Sequence, residues 1–244
     1  MSTRALFRED AYQTRCDATV RAIDEQGIHL DQNVFYPLGG GQAGDAGMLK
    51  LADGTCISIA HTRKAKFEGA TSDDVVHVPA AGQDSLLQKL AVGDKVSAEI
   101  DWEQRYKRMR LHTASHLICA VLPYPVDGCS ITTEYARLDL ATVELIEREA
   151  VEAKLAELIG GSHAVRTEWI TDDEMVACPE LVRTMSVKPA DGPRPRSAAA
   201  HQRRRSAAVR QHACTQYRRN RRAADCEAGE EKRTHAAAGA GDLA

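Results

Sequence analysis

Aromatic residues are scarce in this chain. Three Phe, two Trp and six Tyr make up 5% of its 244 residues, so any core must rest on Leu, Val, Ile and Ala. Long apolar runs are missing too. None approaches the ~20 residues a helix needs to cross a bilayer, so no membrane association is expected. The N-terminal stretch MSTRALFREDAYQTR carries both charge signs and no apolar segment, which argues against a secretory signal. The seven cysteines are odd in number and form no Cys-x-x-Cys pair. That pattern fits a reducing, cytoplasmic setting rather than a disulfide framework.

What is present is unevenly charged. The net charge is −3, yet residues 193–244 hold eleven Arg and one Lys against two Asp and three Glu. The first 192 residues are therefore acidic and the last 52 basic. From Pro193 onward Val209 and Leu243 are the only Leu, Ile, Val, Met or Phe residues. Such a segment cannot bury a core and is expected to be disordered.

Short strands dominate the first hundred residues. Ala18–Ile23 and Ile28–Leu30 flank the turn signal Asp24-Glu25-Gln26-Gly27 and read as a hairpin. Met48–Leu51, Cys56–Ala60, Val75–Val78 and Val96–Ile100 continue the pattern, with one helix expected over Gln83–Ala91. Strands at this spacing suggest a small β-barrel. His29, His61 and His77 read as surface or strand histidines. Between the strands lies Phe35-Tyr36-Pro37-Leu38-Gly39-Gly40-Gly41-Gln42, followed by Gly44-Asp45. Consecutive glycines allow positive φ and close approach of another molecule, and their N–H groups can meet an anion. No Lys-Ser/Thr follows, so this is not a nucleotide P-loop. No helix with an acidic partner at the right distance follows either, so it is not a dinucleotide fingerprint. A plain flexible turn remains the alternative, although Gln42 and Asp45 supply polar groups that a turn does not need.

The middle hundred residues alternate helix and strand. Asp101 is a suitable N-cap for a helix running to about Leu122, before Pro123. Leu111, Ile118 and Val121 make its core stripe, and His112 and His116 fall on an adjacent face. Strands are expected over Cys129–Thr132, Tyr135–Leu140 and Val165–Ile170, and helices over Val143–Gly160 and from Thr171. The fold class is α+β: a small barrel, then an antiparallel sheet with a long helix packed on it. The expected domains are 1–98, 99–192 and the tail 193–244. His112 and His116 are four apart, so on a helix both imidazoles can reach one metal ion. Two unrelated helical histidines would have the same spacing. A metalloprotease is disfavoured, because Thr113 follows His112 where such an enzyme has Glu.

Three features then coincide in order. They are Phe35-Tyr36-Pro37 with Gly39-Gly40-Gly41-Gln42 and Asp45; Arg105 with His112-Thr113-Ala114-Ser115-His116; and Ile131 with Arg137-Leu138-Asp139. Together they resemble the alanyl-tRNA editing proteins, free-standing relatives of the editing domain of alanyl-tRNA synthetase, over roughly residues 4–192. The resemblance implies a hydrolase that cleaves the ester between a wrong amino acid, serine or glycine, and alanine tRNA. It implies a zinc ion held by His112 and His116 together with a later Cys-x-x-x-His pair. It also implies that Gly39, Gly40, Gly41 and Gln42 border the pocket for the tRNA 3′ end. Thr113 and Ser115 are candidates for supporting hydrogen bonds.

The later zinc pair is missing. Cys178 has no histidine four residues on, and Cys214 is followed there by Arg218. Two readings compete. In one, the Arg-rich segment is a basic arm for tRNA phosphates. In the other, a frameshift lies near Gly192–Pro193. Ala208–Tyr217 can be encoded so that reading one nucleotide later yields Pro-Cys-Gly-Ser-Thr-His-Val-Arg-Asn, which contains the missing motif. On that reading the chain as written binds zinc poorly. The competing functions are an aminoacyl-tRNA deacylase, a non-catalytic tRNA-binding module and a fragment of the synthetase itself.

Overall fold

Alternation drives the first half of the chain. In β2 (Arg15–Asp24) Cys16, Ala18 and Val20 are buried while Arg15, Asp17 and Arg21 face outward. β3 (Gly27–Leu30), β5 (Gly47–Leu51), β6 (Cys56–Lys64) and β8 (Lys95–Ile100) turn Ile28, Leu30, Leu49, Ile57, Ile59, Val96 and Ala98 inward in the same way, whereas β7 (Val75–Pro79) buries Val75, Val76 and His77 in succession. Period-2 apolar residues on antiparallel neighbours close a sheet on itself and remove its edges. The computed structural model has that barrel in the order β2-β3-β7-β6-β5-β8, with β8 pairing back to β2. It describes residues 3–71, 73–161 and 163.

The described residues form two units, divided after Arg108. The first holds the barrel, a parallel pair of β1 (Arg4–Ala5) with β4 (Gln32–Asn33), and the single turn α1 (Leu6–Glu9). The β2–β3 hairpin turns where expected. Asp24 Oδ1 accepts the N–H groups of Gln26 (2.8 Å) and Gly27 (3.2 Å). Gly27 has φ +138°, and a Cβ there would lie 2.4 Å from the His77 carbonyl oxygen.

The helix expected over Gln83–Ala91 shrinks to α2 (Asp84–Leu87). Gln83 gives its side chain to the Ser58 backbone, donating to its carbonyl and accepting its N–H, both at 2.8 Å. Downstream, Asp94 Oδ2 captures the Ala91 N–H at 2.8 Å. Side chains bonding nearby backbone in this way divert it from helical pairing.

The helix α3 (Trp102–Val121) starts in the first unit and ends in the second. Asp101 caps it as expected: its Oδ1 accepts the Gln104 N–H at 3.1 Å, and its Oδ2 accepts from Gln104 Nε2 at 2.7 Å. In the second unit β9 (Val126–Ile131) and β10 (Ala136–Leu140) pair antiparallel. β9 begins three residues before the strand expected over Cys129–Thr132, and Thr132 instead turns the chain by bonding Tyr135. Ile118, Leu122, Val126 and Leu138 form a core against which Val151 and Leu155 of α4 (Arg148–Gly160) pack.

α4 starts five residues later than the expected Val143. Thr142 Oγ1 accepts the Glu144 N–H (3.0 Å), while the Glu144 carboxylate accepts from the Tyr124 hydroxyl (2.6 Å). Val143 and Leu145 are consequently exposed. The architecture is α+β. The strand expected over Val165–Ile170, the helix from Thr171 and the tail 193–244 lie outside the described residues. No helix among the described residues is long and apolar enough to cross a membrane.

Candidate functional site

The glycine-rich loop is a tight hairpin. Gly39 and Gln42 exchange both backbone bonds at 3.1 Å, and the two residues between them, Gly40 and Gly41, have φ +60° and +78°. Two consecutive positive φ angles are the signature of a type I′ turn, which only glycine, and to a lesser degree Asn or Asp, adopts easily. The sequence therefore needs Gly-Gly here for a defined shape rather than for flexibility.

The hairpin is tied down from below. The Tyr36 hydroxyl donates to the Gly39 carbonyl at 2.9 Å, and burial pushes that phenol up to about 12. Thr62 Oγ1 donates to the Tyr36 carbonyl at 2.8 Å, and the Leu38 N–H donates to the Thr62 carbonyl at 2.9 Å. Gly44 passes so close to Thr62 that a Cβ would lie 1.8 Å from its carbonyl oxygen.

Asp45 is fully buried, and its Oδ2 accepts from the Tyr36 N–H at 2.8 Å and from Arg105 Nε at 2.7 Å. Arg105, also fully buried, donates in addition to the carbonyls of Val34 (2.7 Å) and Ala11 (3.2 Å). Arg108 adds a bond to the Gly44 carbonyl at 3.2 Å and lies 3.8 Å from Asp45 Oδ1. The sequence flags Asp45 as a polar group offered by the loop. In the folded chain it is instead the internal partner of Arg105, sixty positions away, and it fixes the loop's base. Gln42 is likewise fully buried rather than displayed, whereas Gly40 is exposed. Thr62 and Lys64 carried no signal by which sequence reasoning would have placed them beside the hairpin.

His112 and His116 lie in the second unit, one turn apart on α3. Their rings stack with centroids 5.1 Å apart and planes 23° from parallel. His112 is 2% exposed and His116 half-buried. Burial, helped by the neighbouring His116, pushes His112 down to about 3, so it is neutral near pH 7, the form in which imidazole ligates a metal. Thr113 Oγ1 donates to the Met109 carbonyl (2.9 Å) and Ser115 Oγ to the His112 carbonyl (2.7 Å). Both hydroxyls thus bond back along the helix.

The donor set fits half of a zinc site. Imidazoles suit the ion, which takes three or four protein ligands. Among the described residues no group of three or more His, Cys, Asp or Glu is placed to hold a metal. Cys178, His212 and Cys214 lie outside those residues. His77, in β7, is fully buried rather than at the surface. Its Nδ1 donates to the Ile28 carbonyl and its Nε2 lies against Asn33 Oδ1, each at 3.0 Å.

Comparison with known proteins agrees with these features. Residues 4–104 match the family described as tRNA synthetases class II (A). The chain is 36% identical over 144 residues to the alanyl-tRNA editing protein AlaX-M of Methanosarcina barkeri, covering 58% of this chain and 56% of that protein. It is 35% identical over 181 residues to AlaX-M of Methanosarcina mazei, covering 70% and 69%. It is 31% identical over 193 residues to AlaX-M of Pyrococcus horikoshii, covering 72% and 82%. The chain thus spans little more than half the length of the first of these relatives. A glycine hairpin clamped by Asp45 and Arg105, a histidine pair on α3 and these identities lead to one conclusion: the chain belongs to the family of alanyl-tRNA editing proteins.

Proposed function

We propose that this protein is an aminoacyl-tRNA deacylase that hydrolyses the ester linking serine or glycine to alanine tRNA. The observation that carries the reading is the 35% identity to a protein named for alanyl-tRNA editing over 69% of that protein's length. The stacked pair His112 and His116, with His112 held neutral by burial, supports it.

An aminoacyl ester is already activated, so the site needs only to place a water, polarise the carbonyl and hold the developing oxyanion. His112 and His116 would hold zinc, which when bound supplies a Lewis acid for the ester or an anchor for the substrate. The backbone N–H groups at the tip of the Gly39–Gln42 hairpin would meet the 3′ end of the tRNA. Its rigid clamp keeps that tip in one shape, so no ordering cost falls on substrate binding.

On the frameshift reading, the remaining zinc ligands would come from a Cys-Gly-Ser-Thr-His motif encoded one nucleotide later after about Gly192. On this proposal the chain as written holds zinc weakly and hydrolyses slowly. Sequencing the gene across that point tests the frame directly. A one-nucleotide-shifted frame without Cys-Gly-Ser-Thr-His ends the frameshift idea and favours a basic arm instead.

The second reading is a tRNA-binding module without catalysis. The lack of a third metal donor among the described residues favours it. Deacylation of serine-charged alanine tRNA, with and without chelator, separates the two. Ester hydrolysis above the uncatalysed rate supports the enzyme, and binding without hydrolysis supports the module.

A further inference from the structure

β6 ends in the least acidic stretch of the first unit. Residues 1–108 hold thirteen Arg and Lys against sixteen Asp and Glu, yet no acid lies between Asp53 and Glu68. His61, Arg63, Lys64 and Lys66 stand in that gap. Several other cations of the unit face carboxylates: Arg4 pairs with Glu9, Arg8 with Asp73, Lys107 with Glu103 and Arg105 with Asp45. Lys64 and Lys66 are exposed, and among the described residues neither ammonium has a carboxylate partner.

Their backbone is nonetheless held. The Lys66 N–H donates to Gln26 Oε1 at 3.0 Å, and Gln26 Nε2 donates to the Lys66 carbonyl at 3.2 Å. Arg63 Nη2 donates to the Gln26 carbonyl at 3.1 Å, and the Ala65 N–H to the Asp74 carbonyl at 2.8 Å. Two uncompensated cations on a pinned backbone form a positive patch on an otherwise acidic unit.

Two neighbours give the patch a direction. Lys64 leans over the glycine hairpin: a Cβ on Gly39 would lie 3.6 Å from its Cε and 3.7 Å from its Nζ. Phe67 is 51% exposed, touching the His29 ring with centroids 6.5 Å apart. Being three residues from Lys64, it stands within about 11 Å of it. An exposed aromatic ring beside free ammonium groups is the combination that binds single-stranded nucleic acid, with phosphates on the cations and a base on the ring.

We propose that Lys64, Lys66 and Phe67 form an RNA contact on the barrel. The two ammonium groups take backbone phosphates beside the Gly39–Gln42 hairpin, and the Phe67 ring stacks on an unpaired base. The inference rests on the tRNA reading above and adds the surface that recognises the tRNA. An unpaired segment suits the patch better than a duplex, because a base must leave its stack to reach the ring.

The test is a fluorescence-anisotropy titration of the full chain with alanine tRNA at several salt concentrations. Phe67→Ala is expected to weaken binding about ten-fold, the scale of one lost base–aromatic stack. Phe67→Trp retains the stack and is expected to bind as the unsubstituted chain does. Replacing Lys64 and Lys66 together by Ala is expected to lower the slope of log affinity against log salt by about 1.4, the value for two phosphates of a single strand. Replacing Arg21 and Lys50, two other exposed cations of the same unit, should change neither quantity. If the unsubstituted chain binds no tRNA, the tRNA reading fails and this inference with it. If it binds and the Lys64/Lys66 and Phe67 variants bind equally well with the same slope, only the surface is wrong. A lysine effect without any effect of Phe67→Ala marks the patch as a general anion site, such as one for acidic peptides, and overturns the RNA contact.

Discussion

The glycine hairpin and the histidine pair are built on opposite principles. The hairpin displays almost no chemistry of its own, yet a buried Asp45–Arg105 pair, Tyr36, Thr62 and a type I′ turn all fix its shape. The histidines carry the proposed chemistry, and among the described residues no group of three or more metal donors forms around them. Shape is over-determined in one region and reactivity is incomplete in the other. Substitutions in the first should therefore register mainly as lost stability, and in the second mainly as lost activity.

The largest effect should come from the clamp. Asp45→Ala leaves Arg105 buried without its counter-charge, and breaking such a pair costs about 3–5 kcal/mol. Chemical denaturation should read that loss. The double change Asp45→Leu with Arg105→Met should cost less than Asp45→Ala alone, because the Arg105 charge leaves with its partner and only Arg108 loses a nearby carboxylate. At His116, half-buried on α3, an Ala substitution should move stability by no more than about 1 kcal/mol. Deacylation should nevertheless fall by at least ~100-fold in any form of the chain that holds zinc. A large stability loss at His116 with activity intact would collapse the contrast between the two regions.

The barrel should also show a pH signature. Burial pushes His77 down to about 4 from an ordinary value of 6.5. The unfolded chain therefore binds the proton first as pH falls, and stability declines between about pH 6.5 and 4. The stabilisation is fully present above that window. Integrated over it, the loss is at most about 3 kcal/mol. Denaturation midpoints measured from pH 7 to 4 should fall less steeply in a His77→Gln variant. The smallest effect belongs to the turn itself. Gly40→Ala forces a side chain into positive φ, with no contact closer than the Tyr36 hydroxyl at 3.8 Å, at a cost of about 1–2 kcal/mol.

The sequence made local features legible and left long-range ones hidden. The barrel strands could be read because Cys16, Ala18, Val20 and Val96, Ala98, Ile100 alternate with polar residues, and the α3 start because Asp101 and Gln104 form a cap. The late start of α4 and the shrinkage of α2 were not legible. Thr142, Gln83 and Asp94 divert the backbone through bonds that periodicity does not encode. At the site, the spacing of His112 and His116 announced that they lie one turn apart on α3. Nothing local announced that Asp45 would meet Arg105, or that Lys64 would lie over Gly39. Both depend on which strands neighbour one another once the barrel closes.

The most direct test compares deacylation of serine-charged alanine tRNA by the chain as written and by a chain continued in the frame one nucleotide later after Gly192, with bound zinc measured in each. Stoichiometric zinc and chelator-sensitive hydrolysis are expected in the second, and substoichiometric zinc with slow hydrolysis in the first. Full zinc and an equal rate in the chain as written would contradict the incomplete site. No hydrolysis by either chain would contradict the deacylase.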